Sequence, residues 1–135
     1  MVTAFDVDAN KLIEKSAEKL KEMKIHKPAF VGLVKTGAHA ERPPQSEDFW
    51  YVRCASILRH FYVSGSIGVQ RLRTHYGGKK RRGVKPARHM AAGGSTIRKA
   101  IQELEKAGLL TKEKNKRVLS GKGRKLLDAA AKECV

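Results

Sequence analysis

The sequence predicts a mainly α-helical, winged-helix-like domain, in which a helix-turn-helix and a short β-hairpin surround a central buried helix. Amphipathic patterns with helical spacing recur along the chain, one segment is apolar around nearly its whole circumference, and a late segment suits two short strands. The chain has 135 residues, 41% of them apolar, enough for one core of ordinary size. We therefore expect a single domain spanning residues 1–135 rather than a disordered basic tail.

The first element is an amphipathic helix. Asp8 can cap it, and residues 9–23 place apolar side chains on one face among lysines and glutamates. Pro28 suits the first turn of a helix, so a short second helix is predicted over residues 29–34, and Gly37 can end it.

The central element is a long helix that starts after a strong capping signal at residues 46–48. Ser46 supplies a capping hydroxyl, and the two acids that follow it favour the positive end of the helix dipole. Residues 49–63 leave only a narrow polar stripe, which consists of Arg53, Ser56 and His60, with Arg59 at its margin. A helix of this composition forms the buried centre of a domain, so we interpret Trp50 and Tyr51 as core residues rather than as base-stacking ones.

The next helix and the segment after it differ sharply in pattern. Ser66 can cap a helix in which Leu72 and Tyr76 lie on one apolar face, and a pair of glycines ends it. Residues 77–93 then carry six lysines and arginines and no apolar periodicity. We therefore predict a basic loop at about residues 77–93, mobile in the free protein.

The last third of the chain completes the winged-helix pattern. Its predicted elements are a helix over residues 93–107 capped by Gly108, short strands at residues 109–111 and 117–120, and a last helix from Arg124 to about Cys134. The outward face of the first of these helices carries Arg98, Lys99 and Gln102. In a winged-helix module this helix normally enters a DNA major groove.

The positive charge is concentrated in one stretch. Residues 49–102 contain no aspartate or glutamate and hold twelve of the lysines and arginines, so +12 of the formal +16 lies there. A surface with no internal acidic partners requires an external polyanion, which in a cell is most often nucleic acid. The candidate nucleic-acid-binding residues are these twelve: Arg53, Arg59, Arg71, Arg73, Lys79, Lys80, Arg81, Arg82, Lys85, Arg88, Arg98 and Lys99.

Other function classes find little support. Acidic residues are absent from the middle of the chain, so no paired carboxylates or activated nucleophile can be assigned, and we expect no enzyme and no small-molecule substrate. The histidines and the two cysteines lack metal-ligand spacing, so we expect no metal or cofactor. No segment has the length and apolarity of a membrane span or the pattern of a signal peptide, which predicts a cytosolic or nuclear protein. We also expect the protein to be monomeric when free.

The connection between the two helices of the helix-turn-helix favours RNA over DNA. A helix-turn-helix turn has about three or four residues, whereas a much longer basic insertion separates Gly77 from Gly93. That insertion would cover the face that a DNA groove must reach, and flexible cationic side chains suit irregular RNA. A DNA-binding winged-helix transcription regulator is the second reading, and a basic protein-interaction module is the third. Residues 93–96 could hold a phosphate or simply cap a helix.

Several motifs resemble the small-subunit ribosomal protein family S19e of archaea and eukaryotes. They are the string from Ser46 to Tyr62, Gly68-Val69, Tyr76-Gly77-Gly78, Arg82-Gly83-Val84 with Pro86, and Ile97 to Gln102. The resemblance implies a winged-helix-like fold, binding to ribosomal RNA in the head of the small subunit beside other head proteins, and a part in small-subunit maturation. It also implies that Arg53, Arg59, residues 71–88 and Arg98 face RNA.

Overall fold

The computed structural model describes residues 2–31, 33–44 and 47–134. Within these ranges the chain forms five α-helices, a short 3-10 helix at Ala4–Asp6 and two separate two-stranded antiparallel hairpins. In chain order the elements are α1 Ala9–Glu22, α2 Phe49–Ser64, α3 Val69–Tyr76, β1 Gly78–Arg82, β2 Lys85–Met90, α4 Gly94–Lys106, β3 Leu110–Glu113, β4 Lys116–Leu119 and α5 Gly121–Cys134. The predicted mainly helical class is confirmed.

Helix α2 lies at the centre of the fold. It contacts α1, α4 and α5 and also touches β4, because apolar residues occupy most of its circumference. Trp50 and Leu58 are fully buried, which confirms the core assignment of Trp50, while Tyr51 is half-buried at the edge of the core. The predicted cap at Ser46 lies outside the described residues.

Polar contacts fix the helices around this core. The hydroxyl of Tyr62 in α2 donates a hydrogen bond to Asp128 of α5 at 2.9 Å. Lys19 of α1 pairs with Glu133 of α5 at 2.9 Å, and the Nε of Arg117 on β4 donates to Glu105 of α4. These contacts link α1 and α2 to α5, and β4 to α4.

The short helix predicted over residues 29–34 is wrong. Outside Gly32, which lies beyond the described residues, the segment forms hydrogen-bonded turns, in which the amides of Leu33 and Val34 both donate to the carbonyl of Phe30. Leu33 is 77% exposed and Val34 47% exposed, so neighbouring elements bury little of these two apolar side chains. A helix this short depends on such packing, because its own hydrogen bonds do not repay nucleation.

The helix boundaries also differ from the sequence prediction in two places. Helix α3 is preceded by Gly68 rather than capped by Ser66, because Ser66 instead forms an isolated β-bridge with Val118. Helix α5 begins at Gly121, three residues before the predicted start at Arg124. Ser120 accounts for this early start, since its hydroxyl accepts from the amide of Gly123 and its carbonyl accepts from the amide of Arg124.

Candidate nucleic-acid interface

The segment predicted as a basic loop at residues 77–93 is instead a β-hairpin, which we call the basic hairpin (residues 78–90). Strands β1 and β2 pair antiparallel through Gly78↔Met90, Lys79↔His89, Lys80↔Arg88 and Arg82↔Lys85. The prediction of an unstructured loop is therefore wrong. Backbone ladder bonds and a tight turn form this hairpin without the apolar alternation by which strands are usually recognised.

The tip of the basic hairpin is a two-residue turn. Gly83 has φ of +68°, a conformation that favours glycine, and Val84 beside it is fully exposed. The pairing is irregular between Lys80 and Arg82, where β2 carries the extra residue. Pro86 lies in this irregular part, where its missing amide costs no ladder bond, and its carbonyl accepts from the Nε of Arg82 at 2.8 Å.

The cross-strand pairs of the basic hairpin place cations opposite cations. Lys80 lies opposite Arg88, and Arg82 lies opposite Lys85. Like charges directly across two strands destabilise a sheet. The ion pairs of the described residues use cations elsewhere in the chain, and none uses a cation of the hairpin. Glu41 lines a shallow cleft beside Lys79 and Arg81 without forming an ion pair. The hairpin is thus a cationic surface that forms no ion pair with the described residues.

The base of the basic hairpin is fixed to helix α3 and to the segment before α2. The amide of Ala92 donates to the carbonyl of Arg73 at 2.8 Å, and the amide of Gly93 donates to the carbonyl of Thr36 at 2.6 Å. Gly77 is required here, because a Cβ at this position would collide with the carbonyl oxygen of Met90. The two ends of the hairpin therefore meet at one point of the helical body.

Helices α3 and α4 add cations next to that base. Arg71, Arg98 and Lys99 are exposed, so their charges face solvent as predicted for the outward faces. Arg73 is half-buried, and its Nε donates to the carbonyl of Ala92 at 2.9 Å, so part of its function is to hold the end of the hairpin. The side chain of Arg98 lies across Gly94, the first residue of α4.

The two predicted arginines of helix α2 have different surroundings from the hairpin cations. The guanidinium of Arg53 lies 4.0 Å from the ring centre of Tyr76 and 5.1 Å from that of Phe49. Burial lowers the pKa of Arg53, although a guanidinium stays charged at neutral pH. Arg59 is half-buried, and its Nε is buried without a hydrogen-bond partner among the described residues. Arg53 therefore packs between helices, whereas the Nε of Arg59 has no acceptor in the part of the chain that the structure describes.

A histidine pair joins α2 to α3. The Nε2 atoms of His60 and His75 lie 2.9 Å apart, and both rings contact Tyr76 edge-on. Burial, together with His75 and Arg59, lowers the pKa of His60 from 6.5 to about 4, so this ring is neutral at physiological pH. His75 and His89 are both exposed, and His89 lies on the basic hairpin opposite Lys79.

The described residues offer no alternative chemical centre. No group of three or more histidines, cysteines or acids among them could hold a metal ion. Cys54 is buried in the core, and burial raises the pKa of its thiol to about 12, so it stays protonated. None of the described helices is long and apolar enough to cross a bilayer.

Residues 3–135 match the family described as Ribosomal protein S19e. The chain belongs to the ribosomal protein S19e family. This family consists of structural ribosomal proteins and not of enzymes, so the predicted family, the predicted ribosomal location and the non-catalytic assignment are confirmed.

Relatives in both archaea and eukaryotes are similar over nearly their whole length. The chain is 48% identical to small ribosomal subunit protein eS19 of Aeropyrum pernix, over 98% of this chain and 90% of the relative. It is 44% identical to the protein of the same name from Emericella nidulans, over 99% of this chain and 93% of the relative. The Thermoplasma volcanium protein is 44% identical, over 100% and 91% respectively. This S19e-family chain is accordingly a small-subunit ribosomal protein.

Sequence reasoning missed a groove beside α4. Its volume is about 560 Å³, and it lies between the turn at residues 30–35 and one face of α4. The lining residues are Phe30, Val34, Lys35, Gly93, Ser95, Thr96, Arg98, Lys99 and Gln102. The outward face of α4 was recognised from its periodicity, but no local pattern shows that Phe30 lies opposite it, because the two segments are far apart in the chain.

Proposed function

We propose that this S19e-family protein binds ribosomal RNA in the head of the small subunit and supports the assembly and maturation of that subunit. The observation that carries the proposal is the basic hairpin, whose paired strands place Lys80 opposite Arg88 and Arg82 opposite Lys85 without any ion-pair partner among the described residues. Phosphates bound along the hairpin would relieve this repulsion and release counterions.

The remaining predicted cations extend the same surface. Arg71, Arg98 and Lys99 are exposed on the helices that flank the base of the hairpin, so they could contact phosphates on neighbouring strands of a folded RNA. The order of α2, α3, α4 and the β3–β4 hairpin is that of a winged helix, and we propose that arrangement with β3–β4 as its wing. The basic hairpin stands in the connection between α3 and α4, where a groove of duplex DNA would have to approach.

The family relationship supports the subunit assignment. The relatives are named as small ribosomal subunit proteins, and they match this chain over nearly all of its length. We propose that the neighbours of the protein are other proteins of the subunit head and that the free protein is a monomer. The family relationship also argues against the DNA-binding regulator, which would require dimerisation and a preferred duplex sequence.

A salt series tests the proposal. The purified protein is titrated with fragments of small-subunit ribosomal RNA and with random duplex DNA at several salt concentrations. We expect tighter binding to the ribosomal fragments and a logarithmic slope of affinity against salt of several units, since each neutralised phosphate contributes roughly 0.7 to 0.9. A slope near one, or equal affinity for duplex DNA, would reject the proposal.

A further inference from the structure

The groove beside α4 is lined by apolar, cationic and hydrogen-bonding side chains from two segments of the chain. One wall is apolar and consists of Phe30 and Val34, which lie on the same side of their turn because the amide of Val34 donates to the carbonyl of Phe30. The other wall is one face of α4, where positions 95, 98, 99 and 102 follow helical spacing. The groove therefore brings an aromatic side chain together with cations and hydrogen-bonding groups.

The charged side chains that line the groove are all positive. Lys35, Arg98 and Lys99 line it, and none of its lining residues is acidic. Gln102 adds an amide that can donate and accept, and the hydroxyls of Ser95 and Thr96 add two more hydrogen-bonding groups. The groove volume of about 560 Å³ lies within the range of small-ligand sites, roughly 300 to 1,000 Å³.

We infer that this groove receives one unpaired nucleotide of the bound RNA, with its base on the Phe30 ring, its phosphate near Arg98 and Lys99, and its edge hydrogen-bonded by Gln102. This inference rests on the proposed RNA binding. A base can reach an aromatic side chain only where it is unstacked, as in a bulge or loop. Stacking on an aromatic ring and contact with a cation are how proteins hold such bases.

The position of the groove favours RNA over a protein segment as occupant. Gly93 lines the groove and directly follows Ala92, which is bonded to α3 at the base of the basic hairpin. The groove is therefore continuous with the cationic surface already proposed for RNA. A phosphate chain that runs along the hairpin can place a neighbouring nucleotide in the groove without leaving the protein surface.

The test compares stem-loop RNAs that differ at one position. Four RNAs carry a single unpaired A, G, C or U in the same stem, and a fifth is fully paired. We expect the protein to bind at least one bulged RNA more tightly than the paired one. Phe30→Leu keeps the apolar volume but loses the ring, and we expect it to weaken binding of that bulged RNA roughly 10-fold while leaving the paired RNA unchanged. Gln102→Ala should reduce the preference among the four bases.

Leu33→Ala is the matched control, because Leu33 belongs to the same turn, is 77% exposed and does not line the groove. We expect it to bind all five RNAs as the parent does. Equal effects of Phe30→Leu on bulged and paired RNA overturn the inference and leave RNA binding by the hairpin standing. Unchanged affinities in Phe30→Leu, the result expected if an acidic peptide occupies the groove, also overturn it. A parent protein that binds none of the RNAs overturns both proposals.

Discussion

Replacing Lys79, Lys80, Arg81 and Arg82 with alanine should remove much of the RNA affinity and leave the fold intact. None of the four side chains belongs to the hydrophobic core, and Arg82 makes its hydrogen bond within the hairpin, to Pro86. Each cation that neutralises a phosphate contributes roughly 0.7 to 0.9 to the salt slope, so the variant should lose about three units of slope. When the salt concentration rises fourfold, the affinity of both proteins falls, and the fall should be roughly 60 times larger for the parent than for the variant.

The assay measures binding of a ribosomal RNA fragment across salt concentrations, together with thermal unfolding. We expect the Tm to change by no more than about 2 °C, since none of the four side chains packs in the core and substitutions outside the core usually have small effects. The matched control replaces Lys11, Lys27, Lys125 and Lys132, four exposed cations outside the acid-free stretch, and should keep the parent slope within about one unit. A hairpin variant with the parent slope, or one that no longer unfolds cooperatively, would refute the reasoning.

Three further predictions concern the helical body. Trp50→Ala removes a fully buried ring and should destabilise the protein by about 3 to 5 kcal/mol, measured by urea unfolding; a loss below about 1 kcal/mol would contradict its place in the core. Arg59→Ala should keep the Tm and reduce incorporation into small subunits, because no described residue accepts a hydrogen bond from its Nε; a large drop in Tm would instead make Arg59 part of the scaffold. The lowered pKa of His60 means that the unfolded chain binds a proton below pH 6.5 while the folded protein does so only near pH 4. The free energy of unfolding should therefore fall between these values by about 1 to 2 kcal/mol, a figure reduced for the partial exposure of the ring. His60→Gln should remove that part of the pH dependence in urea unfolding measured at pH 7 and pH 4.5, and an unchanged dependence would show that the histidine pair is not its source.

The helices could be predicted from sequence because each buries an apolar face with helical spacing. The central helix α2 is the clearest case, since it is apolar around most of its circumference and contacts α1, α4 and α5. The basic hairpin could not be found in this way, because its strands bury no face and therefore show no alternation. One signal of a hairpin is present, because Gly83 is the first residue of the two-residue turn. The residues on both sides of this turn are cationic and do not alternate with apolar ones, so the glycine alone does not indicate two strands.

The candidate site was predicted as a set of residues but not as a geometry. The twelve cations were identified from charge alone, since the absence of acids is visible in the sequence. Their separation into cations on the basic hairpin, an Arg73 bonded to Ala92 and an Arg53 packed on Tyr76 depends on tertiary contacts. The groove depends on a contact between Phe30 and the face of α4, and no periodic pattern reports contacts between distant segments.

The closure of the basic hairpin at Gly77 makes it an exchangeable unit. The chain leaves the helical body at Gly77 and returns at Ala92, which is bonded to the carbonyl of Arg73. Residues added to or removed from both strands beyond this point would change the length of the basic hairpin without altering how α3 packs on α4. Hairpins of different length could therefore be grafted at this junction, so that one helical scaffold could present cations at different distances from its surface.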